Sequence, residues 1–333
     1  VNPTLSASVV VCAFADERLE LTVGCVEAAL AQSPPPLEVI VIVDYNAPLE
    51  GRLKERLPDT VQVAPNAGQP GLSAARNTAI ALAVGDIIAF LDDDARPHPG
   101  WLANLLAGFA DPAVAGVGGR AIATWESGQP SWFPDAFLWV VGCSYAGQPD
   151  SGSVRNPIGC NMAFRREVFT RAGGFDTQIG RLGSKPLGCE ETELCIRAAR
   201  LIPDSGFVMV RGADIDHWVP RSRAEPTYLI RRCYYEGISK ALVRLLGDTR
   251  SLDTERDYVA TTLSGTILAA VLKVVTGPDR RGAGGRILAV IGGLSAAAAG
   301  YVVGAVTFKL RPPAGLGSPG AASSVPPAGP PRR

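Results

Sequence analysis

Short apolar runs closed by polar residues recur along the first two thirds of the chain. Ser8–Phe14, Leu37–Val43, Val61–Ala64, Ile87–Leu91, Val114–Gly119 and Phe207–Val210 read as strands, and the most continuous of them as strands buried on both faces. Helical spacing fills the gaps: a stretch to about Gln32, a polar segment to Leu57, Ala74–Val84, Gly100–Phe109, Arg165–Ala172, and a helix opening near Glu191 and running to Arg200. Strands alternating with helices of this length predict βαβ units and an α/β fold with a doubly wound, mostly parallel sheet flanked by helices. Between Thr124 and Pro157 the pattern turns irregular. Its aromatics, Trp125, Trp132, Phe133, Phe137, Trp139 and Tyr145, suit either stacking on a ring and closing a lid, or ordinary core.

The last third changes character. Thr227–Leu246 reads as a basic helix with Ile230, Tyr234, Ile238, Leu242 and Leu245 on one side and Arg231, Arg232, Lys240 and Arg244 off it. Such a helix lies at a membrane surface or packs on the body of the protein. Tyr258–Leu272 carries no charge but is short for a span, whereas Ile287–Phe308 is long enough, though rich in Gly and Ala. A linker bearing Arg280, Arg281 and Arg286 resists crossing a membrane, so 258–275 is expected in the interface and 287–308 spanning or re-entrant. From Arg311 onward Pro, Gly, Ala and Ser predict a disordered tail. The expected division is therefore 1–226 catalytic, 227–310 helical and membrane-associating, and 311–333 tail.

Charge sharpens this picture. The 333 residues sum to zero, yet residues 1–226 hold 18 Lys and Arg against 26 Asp and Glu, and residues 227–333 hold 14 against 6. A basic C-terminal part seeks an anionic partner. Its cations are interleaved with apolar runs, which favours a membrane surface and no nucleic acid. Seven cysteines without a C-x-x-C pair argue against a disulfide framework or zinc ribbon and suit a reducing compartment.

The candidate chemistry sits where the strand Ile87–Leu91 runs into Asp92-Asp93-Asp94. Ligands bind at the C-terminal ends of strands in open α/β sheets. Three adjacent carboxylates repel one another unless a cation offsets them, and hard oxygen ligands suit Mg²⁺ or Mn²⁺ with phosphate oxygens in the shell. A second strand, Leu37–Val43, also ends on acid, at Asp44. No G-x-G-x-x-G follows the first strand and no P-loop is present, so a phosphate must be held by metal and by Arg76. Glu190 and Glu191 sit where the chain enters a helix and suit either capping or general-base work. His217 taken alone reads as structural.

These motifs, in this order, resemble glycosyltransferase family 2 with its GT-A fold, over roughly residues 6–220. The carriers are the opening strand S-V-V-V-C-A-F-A-D-E-R, the strand ending at Asp44, G-L-S-A-A-R-N (71–77), F-L-D-D-D-A (90–95), G-C-N-M-A-F-R-R (159–166), G-G-F-D (173–176) and E-E-T-E-L-C-I-R (190–197). The resemblance implies a nucleoside-diphosphate sugar, a UDP-sugar by preference, with Asp44 at the base, the Ala13–Glu17 turn beside it, Arg76 near base or diphosphate, and Asp92, Asp93 and Asp94 at ribose and metal. It implies Glu191 as catalytic base with Glu190 as helper, although the family usually has Asp there. It also makes His217 a metal ligand beside Asp92 and Asp94, and implies an inverting hexosyl transfer to a polyprenyl-linked or cell-envelope glycan acceptor at the cytoplasmic face of a membrane. Two other readings are a nucleotidyltransferase, which would want a Gly-rich, Lys-containing loop that Ala13–Arg18 lacks, and a degenerate sugar-binding protein.

Overall fold

The computed structural model describes residues 5–180, 187–246, 258–276 and 280–310, and the expected tail from Arg311 lies outside them. Strand β1 (Ala7–Ala13) leads through a 3-10 turn at Asp16–Arg18 into helix α1 (Leu19–Leu30), then β2 (Glu38–Val43). Helix α2 (Ala47–Arg56) opens on Asn46, whose side chain accepts from the Leu49 amide at 3.1 Å, with Pro48 in the first turn. β3 (Val61–Pro65), α3 (Leu72–Leu82) and β4 (Ile87–Asp92) follow. After the acidic turn come β5 (Ala95–Pro97), α4 (Trp101–Ala107), β6 (Val114–Gly118) and β7 (Ala121–Trp125). The segment read as irregular holds the end of β7, a 3-10 run at Asp135–Val141, and β8 (Gly152–Val154). β9 (Asn161–Arg165), α5 (Arg166–Ala172), α6 (Glu190–Leu201), β10 (Gly206–Met209) and β11 (Ile215–Val219) complete this part.

Eight strands form one sheet in the order β3-β2-β1-β4-β9-β6-β10-β8. The first four are parallel, β9 runs antiparallel between β4 and β6, and β8 runs antiparallel on the β10 edge. Alternation divides each central strand between two cores. Val9 and Val11 pack with Val39, Val41, Trp101 and Leu105 on one face, while Val10 packs with Ile40, Ile42, Phe90, Ala79 and Leu194 on the other. That double burial is why these strands are apolar at nearly every position, with Ser8, Glu38 and Asp92 the exceptions in β1, β2 and β4.

A second sheet of three strands, β5-β11-β7, stands at the C-terminal ends of the large one. The sequence pattern did not announce it, because β5 is only three residues long and β11 (Ile215-Asp216-His217-Trp218-Val219) mixes acid, imidazole and apolar side chains.

The C-terminal helices correct one expectation, the linker expected to carry Arg280, Arg281 and Arg286. Helix α7 (Pro226–Leu246) buries Leu229, Cys233, Ala241, Val243 and, from the expected apolar side, Leu242, whereas Ile230 and Leu245 of that side are 40% and 51% exposed. Tyr234 and Ile238 of that side lie against Gly300 and Gly304 of the last helix. The arginines placed in a linker lie within that helix: after a π-helical turn at Tyr258–Leu263 and α8 (Ser264–Thr276), α9 runs unbroken from Arg280 to Leu310. Its abundant glycine serves close packing. A Cβ on Gly300 would stand 1.9 Å from the Tyr234 carbonyl oxygen, and one on Gly237 2.0 Å from that of Ala297. Backbone-to-backbone contact of this kind is open only to glycine. Among the described residues α9 alone is long and apolar enough to cross a membrane, and most of its apolar stretch is left uncovered by the rest of the protein. A third cluster, with Phe133, Phe137, Val219, Leu229, Cys233 and Val290, joins these helices to the 3-10 run, so Phe133 and Phe137 are core.

Candidate active site

The last residue of β4 and the turn after it carry the acidic run. Asp92 is partly exposed and lines a cavity of about 910 Å³; Asp93 and Asp94 are buried. β11 brings in the third side chain able to bind a metal. Its antiparallel register on β5 sets His217 opposite Ala95, and the Trp218 amide donates to the Asp94 carbonyl at 2.9 Å. His217 Nε2 consequently lies 3.3 Å from Asp94 Oδ1 and 4.0 Å from Asp92 Oδ2. One oxygen or nitrogen from each of the three falls within 4.8 Å of the others, the one such cluster among the described residues.

Asp93 does not join them. Its Oδ1 accepts from Arg18 Nη1 at 2.6 Å and its Oδ2 has no partner. Arg18 Nη1 also stands 2.9 Å from Asp94 Oδ2, yet neither Asp94 oxygen accepts a well-formed hydrogen bond. Burial pushes Asp93 up to about 7 despite Arg18. For Asp94 burial is the largest single effect and acts upward, but His217, with Arg18 and Arg223 behind it, holds the carboxyl well below its ordinary range. Burial opposes the His217 imidazolium, and Asp94 beside it still lifts its pKa to about 10. The cluster by itself thus needs a positive charge and takes a proton to supply one. Two carboxylates, one imidazole and two buried oxygens lacking a hydrogen bond fit a hard divalent cation, which would leave His217 a neutral ligand.

The other ring nitrogen of His217 faces the Cys143 thiol, Nδ1 to Sγ at 3.5 Å. Gly142, at φ +85, packs its α-carbon against the ring, where a Cβ would lie 3.2 Å from Cε1. Neither residue was singled out by the sequence; Arg18, beside the expected Ala13–Glu17 turn, was missed too. The opening A-D-E-R was the only available signal for it.

Arg76, at the start of the second turn of α3, is 2% exposed and joins the two halves of the site. Nη1 donates to Glu190 Oε1 at 2.9 Å, and Nη2 to the Gly159 carbonyl at 3.0 Å and to Asp92 Oδ1 at 3.4 Å. The Phe175 ring lies 5.3 Å beneath the guanidinium. Glu190 is accordingly a buried partner of Arg76. Glu191, one residue on, is half-buried at the cavity wall. Burial first, and Glu190 second, push its carboxyl up to about 7, against the pull of Arg76.

Both acids open α6, and the residue before them, Cys189, holds the left-handed φ of +72. Helix α7 secures that turn: Ser239 Oγ accepts from the Gly188 amide at 3.2 Å, and Cys189 Sγ donates to Glu236 Oε1 at 3.5 Å.

At the far end of the strand edge, Asp44 accepts from Asn66 Nδ2 at 2.7 Å and from the Gly71 amide at 2.9 Å, so it braces the loop that leads into α3. The buried Ala13 accepts the Asp44 amide at 2.8 Å, and Glu17 is exposed. The cavity takes in Arg76, Asp92, Glu190 and Glu191, then Trp139 and Tyr145 from the aromatic segment, and then α7 and α9. Of the aromatics read in the irregular segment, Trp139 and Tyr145 are wall, Phe133 is core, and Phe137 is both buried in that core and at the cavity edge.

Comparison with known proteins agrees with this architecture. Residues 8–173 match the family model for glycosyl transferase family 2. The chain is 31% identical over 310 residues to the glucosyl-dolichyl phosphate glucuronosyltransferase of Haloferax volcanii, covering 92% of this chain and 98% of that one. It is 27% identical over 242 residues to the succinoglycan biosynthesis protein ExoM of Rhizobium meliloti, covering 71% and 74%. In fold it is similar to the mannosyltransferase PcManGT of Pyrobaculum calidifontis, solved with GDP-Man and Mn²⁺, with a TM-score of 0.58 at 20% identity over 93% of this chain and 88% of that one. A GT-A sheet, an acidic metal-type cluster at its strand ends and a relative matched along nearly its whole length converge, and the chain belongs to glycosyltransferase family 2.

Proposed function

We propose that this glycosyltransferase moves a hexose, with inversion at the anomeric carbon, from a nucleoside-diphosphate sugar to an acceptor carried on a membrane lipid. One observation carries the reading: Arg76 touches both Asp92 of the acidic cluster and Glu190 beside Glu191, and all four line one cavity. Donor and acceptor chemistry thereby share a single space.

In this reading Asp44 and the Ala13–Glu17 turn flank the base of the nucleotide, and a UDP-sugar is the donor we favour. Asp92, Asp94 and His217 would hold Mg²⁺ or Mn²⁺, which supplies Lewis-acid stabilisation of the charge on the departing diphosphate. Asp93 is left to Arg18 and stays outside the ligand set. Arg76 adds a fixed positive charge that needs no reorganisation. Glu191 takes the proton of the acceptor hydroxyl, and that oxygen attacks the anomeric carbon from the face opposite the diphosphate. The carbon–oxygen bond to the diphosphate breaks with its electron pair leaving on the diphosphate. Glu190, occupied by Arg76, works by holding the charge balance around its neighbour.

The lipid-linked acceptor is supported by α9, by the basic α7, and by the dolichyl phosphate acceptor in the name of the Haloferax relative. Nucleotide sugars are a cytoplasmic currency, so the catalytic part faces the cytoplasm, with residues 227–310 as the membrane-associating part. The test is calorimetric titration of UDP-, GDP- and dTDP-sugars with and without Mn²⁺, followed by NMR of the product anomer. One nucleotide binding only with metal, and an inverted product, is the expected outcome; metal-independent binding or a retained anomer overturns it.

A further inference from the structure

The cavity continues past the catalytic carboxylates. Beyond Cys189 its wall is made by α7 and α9, where Arg232, Glu236, Lys240, Leu294, Ala297 and Tyr301 line it. Arg232 Nη1 and Lys240 Nζ stand 2.8 and 3.3 Å from the same Glu236 carboxylate, each one helical turn away. Two cations against one carboxylate leave a local excess of one positive charge at this end of the cavity, where charge-assisted hydrogen bonds to an anion are strong. Glu236 also sets the direction of the guanidinium. With Nη1 on Glu236, Nη2 lies against the Gly188 backbone, 2.9 Å from where a Cβ would stand.

This cationic end is not the donor end. Arg76 serves Glu190 and Asp92 from the α3 side, whereas the Glu236 cluster reaches the same turn through Cys189 from α7. Glu191 feels both, since Arg76 and Glu236 each act on its charge. Next to the cations the wall becomes apolar along α9, through Leu294, Ala297, Ala298 and Tyr301. The outer side of the same helix exposes Leu288, Ile291, Val302, Val303 and Val306, a surface suited to hydrocarbon. A phosphate followed by a long apolar chain matches that order of surfaces.

We propose that Arg232 and Lys240, held by Glu236, seat the phosphate of a lipid-phosphate-linked acceptor whose hydrocarbon chain leaves along α9 past Leu294 and Tyr301. The proposal rests on the lipid-linked acceptor reading above and gives it a binding site. It also gives the C-terminal helices a task beyond anchoring, because they then form one wall of the acceptor site.

The test uses the full chain in a non-ionic detergent and three probes: farnesyl phosphate, farnesol and inorganic phosphate, titrated calorimetrically. Farnesyl phosphate should bind, with farnesol and inorganic phosphate each weaker by about tenfold or more, the usual weight of a charge-assisted contact. Arg232→Gln and Lys240→Gln should each weaken farnesyl phosphate by about tenfold while leaving farnesol unchanged. Arg232→Lys, which keeps the charge and the Glu236 contact, should retain most of the binding, and nucleotide–Mn²⁺ binding shows whether each variant is folded. Equal binding of farnesol and farnesyl phosphate, or folded Gln variants that bind like wild type, would overturn the phosphate seat. A labelled donor separates this from the parent reading. Wild type that labels a soluble glycoside and no lipid removes the lipid acceptor altogether; lipid labelling that is equally efficient in the Gln variants leaves that reading standing and sinks the seat.

Discussion

Glu191 is surrounded by Glu190, Arg76 and Glu236, and burial lifts its carboxyl to about 7. A base with that pKa becomes competent only as pH passes through neutrality, so kcat is expected to rise over about pH 6 to 8 and then level off. Glu191→Gln should lower kcat by roughly 10²–10⁴-fold and remove that rise, with donor affinity unchanged. The same residue carries a stability signature. A carboxyl raised from 4.5 to about 7 in the fold favours its protonated form there, so its contribution is present below pH 4.5 and lost as pH climbs through 7. Urea melts of wild type and Glu191→Gln at pH 5 and 8 should differ in this slope; parallel curves would place the titration elsewhere. At the opposite end, His217→Ala should weaken Mn²⁺ binding by at least about tenfold, read by electron paramagnetic resonance, while Asp93→Asn leaves the metal count unchanged.

At the scale of elements, two short features do most of the positioning. The small sheet β5-β11-β7 converts a distant histidine into a neighbour of Asp94 through one register, His217 opposite Ala95. The left-handed Cys189 turns the chain into α6 so that Glu190 and Glu191 face the cavity. Only glycine adopts that backbone without cost, and a β-branched residue resists it most. Cys189→Gly is therefore expected to keep activity, whereas Cys189→Val should lose about 1–3 kcal/mol of stability and much of kcat, measured by denaturant melts and initial rates. The apolar stripe read on α7 turns toward α9, with Leu242 buried and Tyr234 and Ile238 against Gly300 and Gly304, while Ile230 and Leu245 at its ends stay exposed. The partner of α7 is α9, met at Gly237, Gly300 and Gly304, and small residues that let backbones touch carry no hydrophobic signal. Gly300→Leu should separate the two helices and reduce the amount of folded protein recovered from membranes.

For the whole molecule, the acidic catalytic part and the basic C-terminal part are joined through the cavity as well as through the chain. With α9 inserted, the full chain should sediment with membranes, resist release by about 1 M salt, where exposed charge pairs are screened, and come free in non-ionic detergent. Salt release alone would reduce the attachment to electrostatics.

What the amino-acid order determined by itself was local and periodic. Runs such as Val9–Val11, Val39–Val43 and Ile87–Leu91 announce strands because burial on both faces leaves no polar position. The acidic turn after β4 announces a cation site because adjacent carboxylates repel without one. What only the tertiary structure decided was which distant groups share that space: Arg18 drawing Asp93 aside, Arg76 spanning Asp92 and Glu190, Cys143 behind His217, and α7 gripping the turn before Glu191. Those meetings depend on strand register and on helix crossings between segments far apart in the chain. Periodicity carries no record of register or of crossing, since any partner of the right polarity satisfies it equally.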